Sequence, residues 1–177
     1  MKLHIGCGNK YISGWKHYDA IDAPHIDYVG DARDLKLIAN ESVEEIYACH
    51  ILEHFSRKEV REVLKEWYRV LIGGGILRLS VPSFLAIVEE YRANMDIESI
   101  KGLVCGGQKS DFDYHFNIFD KKYLTTILID SGYTEIKEWD WRTTSHSGID
   151  DYSQAYLPHM DKENGRQMSL NIMAKKL

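Results

Sequence analysis

Hydrophobic positions along the chain fall into two patterns, short apolar or alternating runs and longer stripes with helical spacing. The short runs predict β-strands, and several of them stop at glycine, aspartate or proline. The predicted strands cover residues 2–5, 15–21, 27–29, 76–81, 134–141 and 168–175. Residues 42–50 are ambiguous, because Ser42 and Glu45 fit a helical capping box whereas residues 44–49 alternate like a strand.

The helical stripes lie between the predicted strands. The clearest covers residues 57–71, with apolar residues along one face and a capping box at Ser56 and Glu59. Further helices are predicted over residues 84–92 and 121–131. Strands that alternate with helices predict an α/β fold with a mostly parallel sheet, in which ligands bind beyond the carboxyl ends of the strands.

Composition and charge exclude several classes of protein. The chain has 177 residues, 44% of them hydrophobic, which predicts one folded domain over residues 1–177. No apolar run approaches the roughly 18 residues of a membrane span, and no signal peptide is recognisable, so we expect a cytoplasmic protein without a membrane partner. A net charge of -5 and the lack of a basic run argue against nucleic acid.

A glycine loop follows the first predicted strand. Gly6 and Gly8 give this loop conformational freedom and allow a ligand to approach the main chain. Asp19 closes the second predicted strand, where a carboxylate can accept hydrogen bonds from both hydroxyls of a ribose. The full dinucleotide fingerprint is absent, because Tyr11 stands at its third glycine position.

Together with later segments, these residues resemble the class I S-adenosylmethionine (SAM)-dependent methyltransferases. Residues 150–154 and 167–171 resemble those of small bacterial members without assigned substrates. The matching segments are residues 3–9, 18–19, 30–32, 50–55 and 68–77. The resemblance implies a Rossmann-like, mostly parallel, seven-stranded sheet with an antiparallel last strand, flanked by helices. It also implies SAM as the cofactor and methylation of a small-molecule or glycan-type acceptor at oxygen or nitrogen.

The resemblance assigns the glycine loop to SAM. Gly6, Cys7 and Gly8 are expected against its adenosyl and methionine parts, and His50 near its methionine part and the transferred methyl. The residue types also allow plainer roles, since two glycines make an ordinary tight turn. Cys7, between them, fits the role of a small residue in that turn better than the role of a nucleophile.

The resemblance also assigns acidic residues to the nucleoside. Asp19 is expected to bind the ribose, with Asp22 as the alternative acid. Asp31 is expected to accept a hydrogen bond from the adenine amino group, and the Ala32 N–H to donate one to a ring nitrogen. Asp31 could instead cap a helix, and Asp19 could be an ordinary surface carboxylate.

The first crossovers are unusually short. Residues 6–14 are all that separate the first two predicted strands, whereas a parallel crossover normally needs a dozen residues or more. We therefore predict that the helices near the first crossovers are shortened or missing. A sheet face left uncovered in this way would favour a homodimer.

Two insertions, at about residues 83–119 and 142–165, follow strand ends on the ligand side. The first contains His115, our predicted general base for an acceptor hydroxyl, because histidine has a suitable pKa range. Asp151, in the second insertion, and His50 complete the predicted catalytic residues.

Two other functions stay open. The segment from His50 through Glu53 to His54 matches the H-x-x-E-H pattern of a zinc metalloprotease, in which a helix would place both histidines on one face. No third protein ligand is evident, so we predict no bound metal. The other alternative is a non-catalytic module that binds SAM or a nucleotide through the same glycine loop.

Overall fold

Seven strands form one mixed β-sheet in the computed structural model, which describes residues 1–177. The strands are β1 (Lys2–Ile5), β2 (Lys16–Asp19), β3 (Tyr28–Val29), β4 (Val43–Cys49), β5 (Leu71–Pro82), β6 (Thr134–Glu138) and β9 (Ser169–Lys175), with a separate hairpin of β7 (Tyr156–Leu157) and β8 (Arg166–Gln167). Their order in the sheet is β3-β2-β1-β4-β5-β9-β6. The first five strands run parallel and β9 runs antiparallel to both of its neighbours, which confirms the predicted fold class.

Four α-helices accompany the sheet: α1 (Val60–Val70), α2 (Phe84–Asn94), α3 (Lys101–Cys105) and α4 (Lys121–Asp130). The apolar sides of α1 and α4 join the main core, where Trp67 and Leu128 are fully buried. Burial of each large apolar side chain stabilises the fold by roughly 1.5–3 kcal/mol. None of the helices is long and apolar enough to span a membrane.

The structure resolves the ambiguous segment and changes one predicted boundary. Residues 42–50 contain strand β4, and no helix is capped by Ser42. The strand predicted over residues 76–81 begins five residues earlier, because β5 starts directly after α1 at Leu71 and runs through the glycines at 73–75. Gly74, with a φ of +78°, lies where the pairing of β4 with β5 shifts register, so it belongs to a bulge within the strand.

No α-helix connects β1 to β2, β2 to β3 or β3 to β4, as the short crossovers predict for the first two of these connections. The sheet face opposite α1 and α4 is covered by loops. Ile12 and Trp15 from the glycine loop pack there with Tyr47 and Trp139 in a second buried cluster. This cluster covers part of the sheet face on which the expectation of a homodimer rests, whereas Ile21 and Val29 near the β3 edge are exposed.

Candidate active site

The loop after β1 passes through two residues in the left-handed region. Gly6 has a φ of +64° and Gly8 a φ of +53°. A Cβ atom on Gly6 would overlap the side chain of Ile51, whereas a Cβ atom on Gly8 would meet nothing within 4 Å. Gly6 is therefore required by close packing, while Gly8 leaves the main chain open to an approaching ligand.

Three side chains hold this loop in the absence of a helix behind it. The carboxylate of Asp19 accepts a hydrogen bond from the N–H of Gly8 at 2.8 Å. The Nε2 atom of His25 lies 2.9 Å from the carbonyl oxygen of Gly8 and must be the donor, because a carbonyl only accepts. His17 Nε2 accepts from the Ile12 N–H at 2.9 Å. Neither histidine was predicted, since their contacts depend on the loop folding back over β2.

The structure separates the two acids proposed for the ribose. Asp19 ends β2 half-exposed beside the glycine loop, and its second oxygen accepts from the N–H of Ile21 at 2.9 Å. Asp22 is exposed and makes no hydrogen bond or ion pair. Asp19 is thus positioned to contact a ligand on the loop while it orders the loop itself.

Asp31 and Ala32 follow β3, the edge strand of the sheet beside β2. The carboxylate of Asp31 is bound by Arg33, whose Nε and Nη2 atoms lie 2.9 Å and 2.6 Å from Oδ2. This guanidinium lowers the pKa of Asp31 below its usual range. No helix begins here, so Asp31 does not cap one. The Ala32 carbonyl accepts from the indole N–H of Trp67 at 2.8 Å, which ties this corner to the core.

A cavity of about 740 Å³ opens at the carboxyl ends of β1 and β4. The glycine loop contributes Asn9 and Lys10, and His50 lines it directly after β4. The two insertions contribute, among others, Asp113, His115, Asp150, Asp151, Tyr152 and His159. All three residues predicted to be catalytic therefore line one cavity that borders the glycine loop.

Sequence and structure comparisons both point to methyltransferases. A methyltransferase domain family matches residues 16–79, a stretch that includes Asp19, Asp31 and His50. A SAM-dependent methyltransferase of Thermotoga maritima superposes with a TM-score of 0.63 at 18% identity, covering 99% of this chain and 82% of that one. The chain therefore contains a segment similar to a methyltransferase domain and has the fold of SAM-dependent methyltransferases.

Other solved structures share this fold. A SAM-dependent methyltransferase of Methanosarcina mazei gives a TM-score of 0.58 at 18% identity, covering 99% of this chain and 92% of that one. One from Archaeoglobus fulgidus gives 0.59 at 16% identity, covering 99% and 85%. A comparison with the curated protein sequences gives no significant match.

The residues around the glycine loop suit SAM. The open space over Gly8 and the half-exposed carboxylate of Asp19 leave room for an adenosyl group. Cys7 is 2% exposed, and burial raises the pKa of its thiol to about 12. The thiol is therefore protonated, which excludes a thiolate nucleophile and fits a small residue in a tight loop.

His50 lies between the glycine loop and the cavity, with a φ of +51°. Its Nε2 atom is 2.8 Å from the hydroxyl of Ser169, which donates its single proton to the carbonyl of Tyr152 at 2.5 Å. His50 Nε2 must therefore donate. Burial lowers the pKa of His50 to about 3, so the ring is neutral and its Nδ1 atom keeps a lone pair.

The other predicted catalytic residues are strongly engaged within the chain. Asp151 accepts from the hydroxyl of Tyr47 at 2.6 Å and from the N–H and hydroxyl of Ser153 at 2.9 Å and 2.6 Å. His115 donates from Nδ1 to the Leu103 carbonyl at 3.0 Å, and burial lowers its pKa. Asp151 thus orders the second insertion, whereas neutral His115 retains a free Nε2 atom.

The metalloprotease hypothesis is wrong in its geometry. His50 directly follows β4 and has a left-handed backbone conformation. Only a single turn of 3-10 helix comes after it, over Leu52–His54. His50 and His54 therefore do not share the face of an α-helix, which is what a metal bound by that pair required.

Proposed function

We propose that this methyltransferase methylates a hydroxyl or amine of a small, polar, sugar-type acceptor bound in the cavity. The polar lining supports this proposal. Carboxylates of Asp113 and Asp150 and the ammonium groups of Lys10 and Lys109 line the walls. A volume of about 740 Å³ is in the usual range for a small-molecule site, and an acceptor rich in hydroxyl groups can pair with these polar groups.

The residues of the chain would act mainly by positioning. When bound, SAM supplies a methyl group on a positively charged sulfur. Asp19 would hold the ribose of SAM, and the glycine loop would hold its adenosyl and methionine parts. The neutral ring of His50, which is fixed through Ser169, would lie beside the methyl group. Alignment of donor and acceptor supplies much of the rate in such a displacement. The acceptor proton would leave on the side of the cavity formed by His54 and His115.

We also propose a small molecule, and not a nucleic acid, as the binding partner. A net charge of -5 and a cavity lined by both acidic and basic residues favour a small molecule over nucleic acid. A cytoplasmic location without a membrane partner, and a homodimer, stay predictions. Sedimentation of the purified chain measures the oligomeric state directly.

The test is an acceptor screen with release of S-adenosylhomocysteine as the readout. Sugars, amino sugars, catechols and small amines are compared with RNA and protein. Asp150→Ala removes an exposed cavity carboxylate that makes no hydrogen bond within the chain. We expect it to raise the acceptor KM about 2- to 10-fold, one hydrogen bond's worth, and to leave SAM affinity unchanged.

Asp22→Ala is the matched control, since it removes an exposed carboxylate outside the cavity lining. Turnover on RNA or protein alone would contradict the proposed acceptor class. Binding of SAM without turnover on any acceptor would favour the non-catalytic binding module instead.

A further inference from the structure

Three side chains beside the cavity form a cluster that the methyl transfer described above does not explain. One ligand atom from each of Glu53, His54 and His115 lies within 4.8 Å of the others. The Glu53 side chain is 1% exposed, and neither of its carboxylate oxygens has a hydrogen-bond partner. A buried carboxylate without partners is costly, so this Glu-His-His cluster needs a compensating group.

Both histidines of the Glu-His-His cluster are oriented by the main chain. Nδ1 of His54 lies 3.0 Å from the carbonyl oxygen of Tyr114, and Nδ1 of His115 lies 3.0 Å from that of Leu103. Because a carbonyl only accepts, each Nδ1 atom is the donor and each neutral ring keeps its lone pair on Nε2. A backbone carbonyl that fixes the ring through its other nitrogen is the usual arrangement around metal-binding histidines.

A fourth acceptor faces the same carboxylate. His50 donates from Nε2 to Ser169, so its lone pair lies on Nδ1, which is 3.3 Å from Oε1 of Glu53. Nε2 of His115 lies 3.9 Å from the same oxygen. When Glu53 is ionised, its carboxylate oxygens and the imidazole lone pairs therefore converge without a donor among them.

We propose that the Glu-His-His cluster binds a divalent first-row transition-metal ion. Two imidazole nitrogens and one carboxylate are a ligand set for zinc or iron(II), whereas Mg²⁺ and Ca²⁺ prefer oxygen ligands. His54 and His115 line the cavity, so the remaining coordination positions of the ion face the acceptor site. The proposal replaces our sequence prediction of no metal, which considered only His50 with His54.

The role of the ion rests on the proposed function. An acceptor hydroxyl bound to a metal ion has a lowered pKa and gives its proton to water. Its oxygen then forms a bond to the methyl carbon while the carbon–sulfur bond breaks and its electron pair returns to sulfur, leaving a neutral thioether. In this arrangement His115 is a ligand through Nε2, which replaces its predicted role as a general base.

The test uses Co²⁺ as the probe on protein stripped with a chelator. We expect one equivalent of Co²⁺ to bind with a visible d–d absorption band, Zn²⁺ to displace it, and Mg²⁺ not to displace it. His54→Ala and Glu53→Gln should each weaken Co²⁺ binding by more than about 10-fold. His159→Ala is the matched control, because it removes an exposed histidine of the same cavity and should leave Co²⁺ affinity unchanged.

Calorimetric titration of SAM into the stripped protein separates this proposal from the proposed function. SAM binding and turnover that need no metal, together with no Co²⁺ binding, would overturn the metal site and leave the methyltransferase proposal intact. Equal Co²⁺ binding by wild type and by the two cluster variants would also overturn it. If Glu53→Gln fails to fold, Co²⁺ binding by His54→Ala decides whether the cluster binds a metal, because His54 is more exposed than Glu53.

Discussion

Replacement of Asp19 by alanine tests the cofactor site most directly. A carboxylate that accepts hydrogen bonds from ribose hydroxyls contributes about 1.5–3 kcal/mol, since its charge strengthens them. We therefore expect Asp19→Ala to weaken SAM binding about 10- to 150-fold. In the free protein the same change removes the acceptors for two loop N–H groups, of Gly8 and Ile21.

The cost in stability should be smaller than the cost in affinity. Gly8 and Ile21 are exposed, so their N–H groups can turn to water when the carboxylate is lost. We expect the free energy of unfolding to fall by less than about 1 kcal/mol, a shift of under about 4 °C in the midpoint of a chain this size. The assay is calorimetric titration with SAM and S-adenosylhomocysteine, with NAD as a control ligand.

Asp22→Ala is the matched control for Asp19→Ala, and we expect it to bind SAM like wild type. A larger loss of affinity for Asp22→Ala than for Asp19→Ala would refute the assignment of the ribose acid. Tight binding of NAD in place of SAM would refute the cofactor itself.

Three further changes probe the support of the site. His25→Ala removes one neutral hydrogen bond to the carbonyl of Gly8, so SAM affinity in the same titration should fall about 2- to 10-fold without loss of fold. Gly6→Ala places a Cβ atom against Ile51 at a residue with positive φ, so it should lower the free energy of unfolding, measured by urea denaturation, by about 2–4 kcal/mol. Gly8→Ala should cost less, because its Cβ atom meets no neighbour. Trp67→Phe removes a buried indole bond to the main chain and should cost about 1–3 kcal/mol by the same measurement, whereas an unchanged urea midpoint would contradict a role for that bond.

The strands and α1 could be predicted because the residues on the buried face of each recur at the spacing of a strand or a helix. Residues 42–50 could not be assigned, because a capping box and a strand pattern overlap there. Tertiary pairing decides between them: the Glu45 carboxylate binds Lys2 at 2.9 Å and Arg78 at 3.1 Å across β1 and β5 instead of capping a helix. The hairpin of β7 and β8 was missed because strands of two residues have no periodicity.

The residues proposed to bind the cofactor could be chosen from the sequence because they immediately follow predicted strands. Gly6, Gly8 and Asp19 all lie at such ends, and the parallel fold places those ends together. The Glu-His-His cluster was not accessible in this way. Its two halves meet because the N–H groups of Phe116 and Asn117 donate to the Glu53 carbonyl at 2.9 Å and 3.2 Å, a pairing across more than sixty residues.

The missing first helix explains why β2 has polar residues where an apolar face would be expected. A helix behind the glycine loop would support it with N-terminal N–H groups and a dipole. Here the loop is too short for a helix, and His17 and Asp19, two residues apart and thus on one face of β2, bind its main chain. Support by individual side chains can be altered one residue at a time. SAM affinity in this protein should therefore depend on single residues of β2. If a helix supported the loop, the same positions would only pack against that helix.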